Sequence, residues 1–225
     1  VSIDSGNTKI IELILSNQNI DINCTSIKII KKSLITKKTA LYAATETGCI
    51  DIIKNLLLRP EIDVNSINTK TTHTNKNISK RTVLYEAVKK GLIEIVKLLI
   101  SFPNIDTNAK TINYNKQKNS CSEKTALCVA IKNNDFEMVR ILLSNLNTDV
   151  NCILIKTING KEYIFKKPIL YYAVERKMTD IVKLLLSNPG IDVNAKSFRI
   201  SRFTSSGVKK NNVTILYKAV EVGEL

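Results

Sequence analysis

Hydrophobic and polar residues follow one another along this chain in a pattern that returns at a nearly fixed distance. Each copy of the pattern closes on an asparagine, and these are Asn23, Asn65, Asn108, Asn151 and Asn194. They stand 42, 43, 43 and 43 residues apart, and a fixed period of this size is typical of stacked repeats. The pattern is complete over 39–65, 82–108, 125–151 and 168–194, and it is partial over 1–23 and 214–225.

Each complete copy predicts two short helices joined by a turn. In the second copy, Leu84, Ala87 and Val88 are apolar at the spacing of one helical face. The run Ile95–Ile100 is apolar over too broad a stripe for a helix wetted on one side, so we expect it to be buried between neighbouring copies. Pro103 follows this run and ends the helix, because proline cannot continue one.

The turn between the two helices holds residues that tolerate a left-handed backbone in three complete copies. These are Gly48, Gly91 and Asn134, and the fourth copy has Lys177 at the same place. A left-handed conformation brings the Cβ of an ordinary residue too close to the backbone. We therefore expect strain or a reshaped turn at Lys177.

The motifs of these copies resemble those of the ankyrin repeat family. The pattern Thr-x-Leu-x-x-Ala occurs at Thr39–Ala44, Thr82–Ala87, Thr125–Ala130 and Thr214–Ala219, and Pro168–Ala173 matches it except in its first residue. The turn residues, the Ile-Val-x-Leu-Leu run and the closing Asp-Val-Asn also match. The Pro and His that usually follow the threonine in the family are absent, and the period exceeds the family's usual length of about 33 residues.

The connectors between the helical pairs account for the long period. They cover 24–38, 66–81, 109–124, 152–167 and 195–213. In the fourth connector, two β-branched and aromatic runs flank Asn159-Gly160, which is a strong hairpin signal. HEAT and armadillo repeats share the period range but are nearly all helix, and they do not explain this hairpin. The expected fold is therefore mainly α, an ankyrin-type α-solenoid with β-hairpins lengthened into fingers. We expect 1–225 to form a single array that is a fragment of a longer one.

Composition agrees with a packed chain that stays in a reducing compartment. Hydrophobic residues make up 44% and charged residues 24%, and no apolar run approaches the roughly 18 residues that cross a bilayer. The five cysteines are odd in number and contain no Cys-x-x-Cys. We interpret them as reduced thiols of an intracellular, cytoplasmic protein.

Candidate chemistry is sparse. The only histidine, His73, lies in a polar connector and is interpreted as a solvated loop residue. No Cys/His cluster has the spacing of metal ligands, and no glycine-rich loop precedes a helix. Four aspartates recur at one repeat position and are expected to accept hydrogen bonds from turn amides, namely Asp63, Asp106, Asp149 and Asp192. The sequence thus predicts no enzyme, cofactor, metal or small-molecule substrate.

Charge separates the connectors from the helices. The chain has a net charge of +14, and the connectors hold 22 of its 34 basic residues but 2 of its 20 acidic ones. Stacked connectors would place this charge in a basic stripe that attracts nucleic acid, an acidic protein or an anionic membrane surface. Alternatively, the lysines keep long hairpins soluble and prevent pairing between strand edges, the interpretation we favour.

The ankyrin resemblance implies a scaffold for protein–protein interaction, with the partner on the concave face formed by the finger tips and the exposed side of each first helix. Candidate contact residues vary between copies: Glu86, Lys89, Lys90, Lys132, Tyr172 and Arg176 on the helices, with Tyr163 and Phe165 on a finger. Two alternatives remain, a basic-fingered module for nucleic acid or anionic surfaces, and an uncapped fragment of a larger multi-domain ankyrin protein.

One aromatic position recurs and is interpreted as structural. Tyrosine stands at the same place of four copies, as Tyr42, Tyr85, Tyr171 and Tyr217. We expect these rings to pack between repeats and their hydroxyls to bond to the backbone of a finger, because a residue shared by every copy does not distinguish a ligand.

Overall fold

The computed structural model describes residues 8–30, 34–72, 77–158, 163–203 and 207–223. Within these ranges, pairs of short helices alternate along the chain with pairs of antiparallel strands. His73 and the Asn159-Gly160 turn were singled out from the sequence, and they lie outside the described residues.

The helices of the described ranges are seven to nine residues long. They are α1 (Thr8–Leu15), α2 (Ala40–Thr47), α3 (Ile50–Leu57), α4 (Val83–Lys89), α5 (Ile93–Ile100), α6 (Ala126–Lys132), α7 (Phe136–Leu143), α8 (Ile169–Glu175), α9 (Thr179–Leu186) and α10 (Ile215–Gly223). The first helix of each complete pair is α2, α4, α6 or α8, and the second is α3, α5, α7 or α9.

The threonine of the repeat motif starts the first helix. The hydroxyls of Thr39, Thr82 and Thr125 accept a hydrogen bond from the backbone amide three residues later, which satisfies one of the free amides of a helix N-terminus. Pro168 has no hydroxyl at this place. There the amide of Ile169 donates to the carbonyl of Cys152 at 3.0 Å, so the start of α8 is joined to the chain before its finger.

All four inter-helix turns use the left-handed conformation. The φ angles are +79° at Gly48, +70° at Gly91, +54° at Asn134 and +56° at Lys177. The expected strain at Lys177 is therefore present in a turn of unchanged shape, at a cost of about 1–2 kcal/mol for a side chain with a Cβ.

The strands form one continuous antiparallel sheet. They are β1 (Thr25–Ile30), β2 (Leu34–Thr39), β3 (Ile67–Thr72), β4 (Asn77–Thr82), β5 (Thr111–Asn115), β6 (Ser120–Lys124), β7 (Ile153–Ile158), β8 (Tyr163–Pro168), β9 (Lys196–Phe203) and β10 (Gly207–Thr214). They lie side by side in chain order from β1 to β10, so every finger pairs with the next.

This sheet corrects the expected fold class, because the chain is 39% helical and 29% strand and is not mainly α. The reason is geometric. Two strands occupy about 9–10 Å across a sheet, and packed helices are 8–10 Å apart. Stacking the helical pairs therefore brings each long finger within bonding distance of the next, and pairing satisfies edge amides and carbonyls that would otherwise face solvent.

A continuous apolar core runs through the helical layers. Each second helix buries two to four apolar side chains against its neighbours: Ile52, Ile53 and Leu56 in α3, Ile95, Val96 and Leu99 in α5, Met138, Val139, Ile141 and Leu142 in α7, and Ile181 and Leu185 in α9. Fully burying a side chain of this size stabilises the fold by about 1.5–3 kcal/mol. The expected burial of the second helices between copies is thus confirmed.

The closing asparagines connect each repeat to the next. The amide nitrogen of Asn65 donates to the carbonyl of Asn104 at 2.7 Å, and its amide oxygen accepts from the backbone of Asp106 at 2.8 Å. Asn23, Asn108 and Asn151 make the same two bonds. The recurring aspartates accept hydrogen bonds from turn amides as predicted, and they are Asp63, Asp106, Asp149 and Asp192.

Candidate functional site

The register of the sheet defines two faces with different chemistry. One row of successive cross-strand partners runs Lys28, Thr36, Lys70, Ser79, Asn113, Ser122, Lys156, Phe165 and Arg199. Partners in a row point to the same side of a sheet, as do residues two positions along a strand. This face therefore also carries Lys38, Arg81, Lys124 and Lys167, which lie nearer the helices.

Three of those residues show which way this face points. Lys38 is 3.0 Å from Glu46, Arg81 is 3.5 Å from Glu86, and Lys167 is 2.6 Å from Glu175. Each of these carboxylates belongs to the first helix that follows its finger. The face and the exposed side of α2, α4, α6 and α8 are therefore the two walls of one groove, which we call the inner groove.

The finger wall of the inner groove is strongly basic. It carries Lys28, Lys38, Lys70, Arg81, Lys124, Lys156, Lys167 and Arg199, and the described strand residues on this face include no carboxylate. The opposite face has an apolar row, with Ile29, Ile35, Ile78, Tyr114, Ile164 and Ile200, but it also carries Lys37, Lys80 and Lys166 and the carboxylate of Glu123. A depression of about 380 Å³ lies on the basic wall, where Ser79, Asn113 and Ser122 separate Lys70 from Lys156.

Glu86 was predicted to be an exposed contact residue, and this prediction is wrong. Its side chain is only 4% exposed. Its carboxylate accepts a hydrogen bond from the hydroxyl of Tyr42 at 3.2 Å and pairs with Lys89 at 3.3 Å as well as with Arg81. Glu86 faces the tyrosine of the preceding repeat, a contact between repeats that one helix's periodicity does not reveal.

The other predicted helix residues lie in the first helices α4, α6 and α8 or directly after them. Lys89, Lys90 and Lys132 are exposed near the ends of α4 and α6. Tyr172 is half-buried on α8, and the guanidinium of Arg176 lies over its ring, 5.6 Å from the centroid. A cation at this distance from an aromatic face is held by the ring's quadrupole, so the two side chains form one unit.

The predicted finger residues lie on β8, the strand that precedes α8. Tyr163 and Phe165 are half-buried, two positions apart on β8, and therefore share the basic face. The guanidinium of Arg199 lies 5.0 Å from the centroid of the Phe165 ring. One aromatic–arginine pair thus lies on and after α8, and another joins β8 to β9 on the basic face of the sheet.

Two basic residues of the groove were missed from the sequence. Lys124 and Lys156 lie on neighbouring strands and on the same face of the sheet, and Lys132 of α6 is close enough to Lys124 for its charge to act on it. The signal available in the sequence was an eight-residue spacing. Lys38 and Lys167 have a glutamate eight residues later, whereas Lys124 has Lys132 there.

Three of the four recurring tyrosines are buried, as expected for a structural position, and the fourth is not. Tyr42, Tyr85 and Tyr171 are buried between repeats, and Tyr217 in α10 is 64% exposed. The expected bond to finger backbone is corrected at Tyr42, whose hydroxyl donates to the carboxylate of Glu86 instead. Burial and the nearby Glu86 charge raise the pKa of Tyr42, so the ring stays neutral.

Two cysteines lie together in the third repeat, a contact that the sequence did not indicate. Cys128 takes the place of the recurring tyrosine, and its Sγ is 3.0 Å from the Sγ of Cys152. Both side chains are buried, and all five cysteines are free thiols.

The described residues also bear on metal binding and on membrane insertion. No group of three histidine, cysteine or acidic side chains among the described residues could hold a metal ion. In the described part of the chain, every helix is too short or too polar to cross a membrane.

Comparison with known proteins identifies the repeats. The family model described as "Ankyrin repeats (3 copies)" matches residues 1–111, 63–153 and 111–197. The crystal structure of EF0377, an ankyrin repeat protein, aligns over 99% of this chain and 89% of its own, with a TM-score of 0.60 and 20% identity. The ankyrin repeat domain of Bcl-3, a member of the IkappaB protein family, aligns over 69% of this chain and 57% of its own, with a TM-score of 0.47 and 23% identity. No curated protein matches the chain.

Proposed function

Because the chain belongs to the ankyrin repeat family, we propose that it is a non-catalytic scaffold that binds a protein partner in the inner groove. Ankyrin repeats generally mediate protein–protein interaction. The observation that carries the proposal is a difference between positions. Exposed residues on the helix wall change in size and charge from repeat to repeat, for example Thr47, Lys90, Asn133 and Arg176, whereas core positions stay apolar.

The fourth repeat supplies the anchors of this interaction. Tyr172 and Arg176 on the helix wall face Tyr163 and Phe165 on the finger wall. Tyrosine and arginine are enriched among the residues that dominate binding energy at interfaces, above all in pockets from which water is excluded. A segment lying in the groove would cover both aromatic surfaces at once.

A protein partner fits the helix wall better than a nucleic acid does. The cations of three fingers already pair with carboxylates, and these pairs are Lys38–Glu46, Arg81–Glu86 and Lys167–Glu175. A phosphate backbone gains its affinity from unneutralised lysines and arginines spaced along it. Carboxylates recurring along the same groove would oppose such a ligand.

The reduced cysteines support an intracellular, cytoplasmic location. All five are free, including the buried pair Cys128 and Cys152, and thiols in this state are usual where glutathione and thioredoxin keep proteins reduced. Fractionation of the cells that express the protein tests this location.

The test of the groove is a comparison of captured proteins. The parent chain, the double variant Tyr172→Ala/Arg176→Ala and the control Lys183→Ala are immobilised and exposed to a lysate of the cells that express the protein. Lys183 is exposed on α9, the second helix of its pair. We expect the double variant to capture these proteins in amounts at least ten-fold lower than the parent does, while the control captures as much as the parent.

Thermal melts separate binding from folding in this experiment. Arg176 is exposed, so the single variant Arg176→Ala keeps the test valid if removal of the half-buried tyrosine lowers the melting temperature. Equal capture by the parent and by both groove variants would contradict the assignment of the inner groove.

A further inference from the structure

In three of the four complete repeats, the cation at the end of the finger pairs with a glutamate of the first helix, and no such pair occurs among the described residues of the third repeat. The residue that precedes the start of the first helix is Lys38, Arg81, Lys124 or Lys167. In the first and fourth complete repeats, this cation pairs with a glutamate eight residues later, Glu46 or Glu175, and in the second repeat Arg81 pairs with Glu86. In the third repeat, the residue eight positions after Lys124 is Lys132.

The third repeat consequently gathers like charges where its neighbours have ion pairs. Lys132 stands at the position from which Glu46 and Glu175 pair with the finger cation of their own repeats. Lys156 lies on the same face of the sheet as Lys124, on the neighbouring strand, because its cross-strand partner Ser122 is two positions from Lys124. Burial of Lys124, together with these two ammonium groups, lowers its pKa. We call Lys124, Lys132 and Lys156 the lysine site.

No described carboxylate neutralises the lysine site. The nearest acidic residue along the chain is Glu123, which points to the opposite face of the sheet and lies 3.3 Å from Lys110. Lys132 and Lys156 are exposed to the groove, whereas Lys124 is half-buried at its base. The site is thus open on one side and already partly desolvated on the other.

We infer that the lysine site binds a carboxylate side chain from an acidic segment of the partner protein. This carboxylate would take the place that Glu46 and Glu175 fill in their own repeats, with the finger cation below it. The inference rests on the proposed function, since it names the chemistry of the segment that enters the inner groove.

A carboxylate is favoured over a row of phosphates by what flanks the site. On one side of it, the equivalent position of the helix wall is Glu175 in the next repeat. On the other side it is Lys89, which pairs with Glu86, and then Glu46 two repeats away. A polyanion that continued along the groove would meet these carboxylates, whereas a single acidic side chain would not.

The neighbouring repeat restricts the segment further. Tyr172 and Arg176 lie one repeat beyond Lys132 on the helix wall, a distance of about 8–10 Å for packed helix layers, and Phe165 is the direct cross-strand partner of Lys156. An extended chain advances about 3.3 Å per residue, so three residues cover this distance. The recognised segment should therefore carry an acidic residue and, three positions away, an aromatic or large apolar residue.

The experiment uses the full chain and defined probes. A fluorescent 12-residue peptide with two adjacent glutamates, and a phenylalanine three residues from one of them, is titrated by anisotropy at about 150 mM salt. Two further peptides replace the glutamates by glutamine or the phenylalanine by alanine, and a single-stranded DNA oligonucleotide is the fourth probe. We expect the acidic aromatic peptide to bind at least ten-fold more tightly than any of the other three.

Charge reversal at the site gives the decisive comparison. Lys132→Glu introduces the Lys–Glu spacing of the first and fourth complete repeats, so it should preserve or raise the melting temperature while weakening the binding of the peptide at least ten-fold. Lys183→Glu changes the net charge equally on another helix and should leave peptide affinity within two-fold. An equal loss in both variants would overturn the inference, because binding would then follow net charge alone.

The remaining outcomes distinguish this inference from the proposed function. Tighter binding of the oligonucleotide than of the acidic peptide would overturn the peptide assignment in favour of nucleic acid. If no peptide binds while lysate proteins are still captured through Tyr172 and Arg176, the lysine site is refuted and the scaffold function stands. If capture is also independent of those two residues, the inner groove itself is refuted.

Discussion

A buried hydroxyl in the second complete repeat offers a sharp test of the packing. Thr107 is 2% exposed, and no described atom forms a hydrogen bond with its Oγ1. The same repeat position is valine in the other complete copies, and Val64 and Val150 are buried there at 0% and 5% exposure. Thr107 therefore places a hydroxyl in a site that the fold otherwise fills with a methyl group.

Replacing this hydroxyl should stabilise the chain. Burying a hydroxyl without a hydrogen-bond partner costs about 1–3 kcal/mol on the scale of protein mutational data. Valine has nearly the same shape as threonine, so Thr107→Val removes that cost without opening a cavity. We expect a gain of about 1–2 kcal/mol in the free energy of unfolding, and a chain of this length gains about 2–4 °C in melting temperature for each kcal/mol.

The assay is chemical and thermal unfolding followed by circular dichroism, with the reciprocal variant as control. Val64→Thr introduces the same hydroxyl at the equivalent buried position and should cost a similar free energy. A melting temperature that stays constant or falls in Thr107→Val would refute the reasoning, since it would mean that the hydroxyl is satisfied by an ordered water molecule.

Three further predictions concern the turn, the core and the lysine site. Lys177→Gly should raise the free energy of unfolding by about 1 kcal/mol, because glycine adopts the left-handed turn without strain, and a lower denaturation midpoint would contradict this. Leu185→Ala should cost about 2–5 kcal/mol through a core cavity, whereas Leu186→Ala, at a half-exposed position, should cost much less; similar losses in calorimetry would contradict the assigned helix face. Lys132→Gln should raise the pKa of Lys124 toward its ordinary value of 10.5, which NMR of the lysine side chain measures. Since a lowered pKa weakens the folded state wherever Lys124 is charged, this variant should gain stability at pH 7, and the gain should fade as the pH rises from the folded pKa to 10.5; a gain independent of pH would refute the charge explanation.

The helical pairs and their turns followed from local sequence alone. The threonine caps, the apolar spacing and the turn residues each act within a few positions, so one copy of the motif contains the information for its own helices. The recurring aspartates are also local, because each accepts a hydrogen bond from an amide two residues later. Even the strained turn at Lys177 could be predicted, since conformational preference depends on the residue itself.

The continuous sheet could not be predicted in the same way. Only one finger carries a strong turn signal, at Asn159-Gly160, and the connector 66–81 has few apolar residues. Its strands β3 and β4 nevertheless form the same ladder as the others, because each pairs with a strand of the neighbouring finger. That pairing depends on the spacing of stacked helices, which is a property of the whole array.

The candidate site, too, could be predicted from the sequence only in part. Helical periodicity was sufficient to predict that Lys89, Lys132 and Arg176 are exposed. It failed at Glu86, because the residue that buries it, Tyr42, lies 44 positions earlier in the preceding repeat. The lysine site needed the fold for the same physical reason, since the charge on a finger and the charge on a helix affect each other only when the chain brings their side chains together.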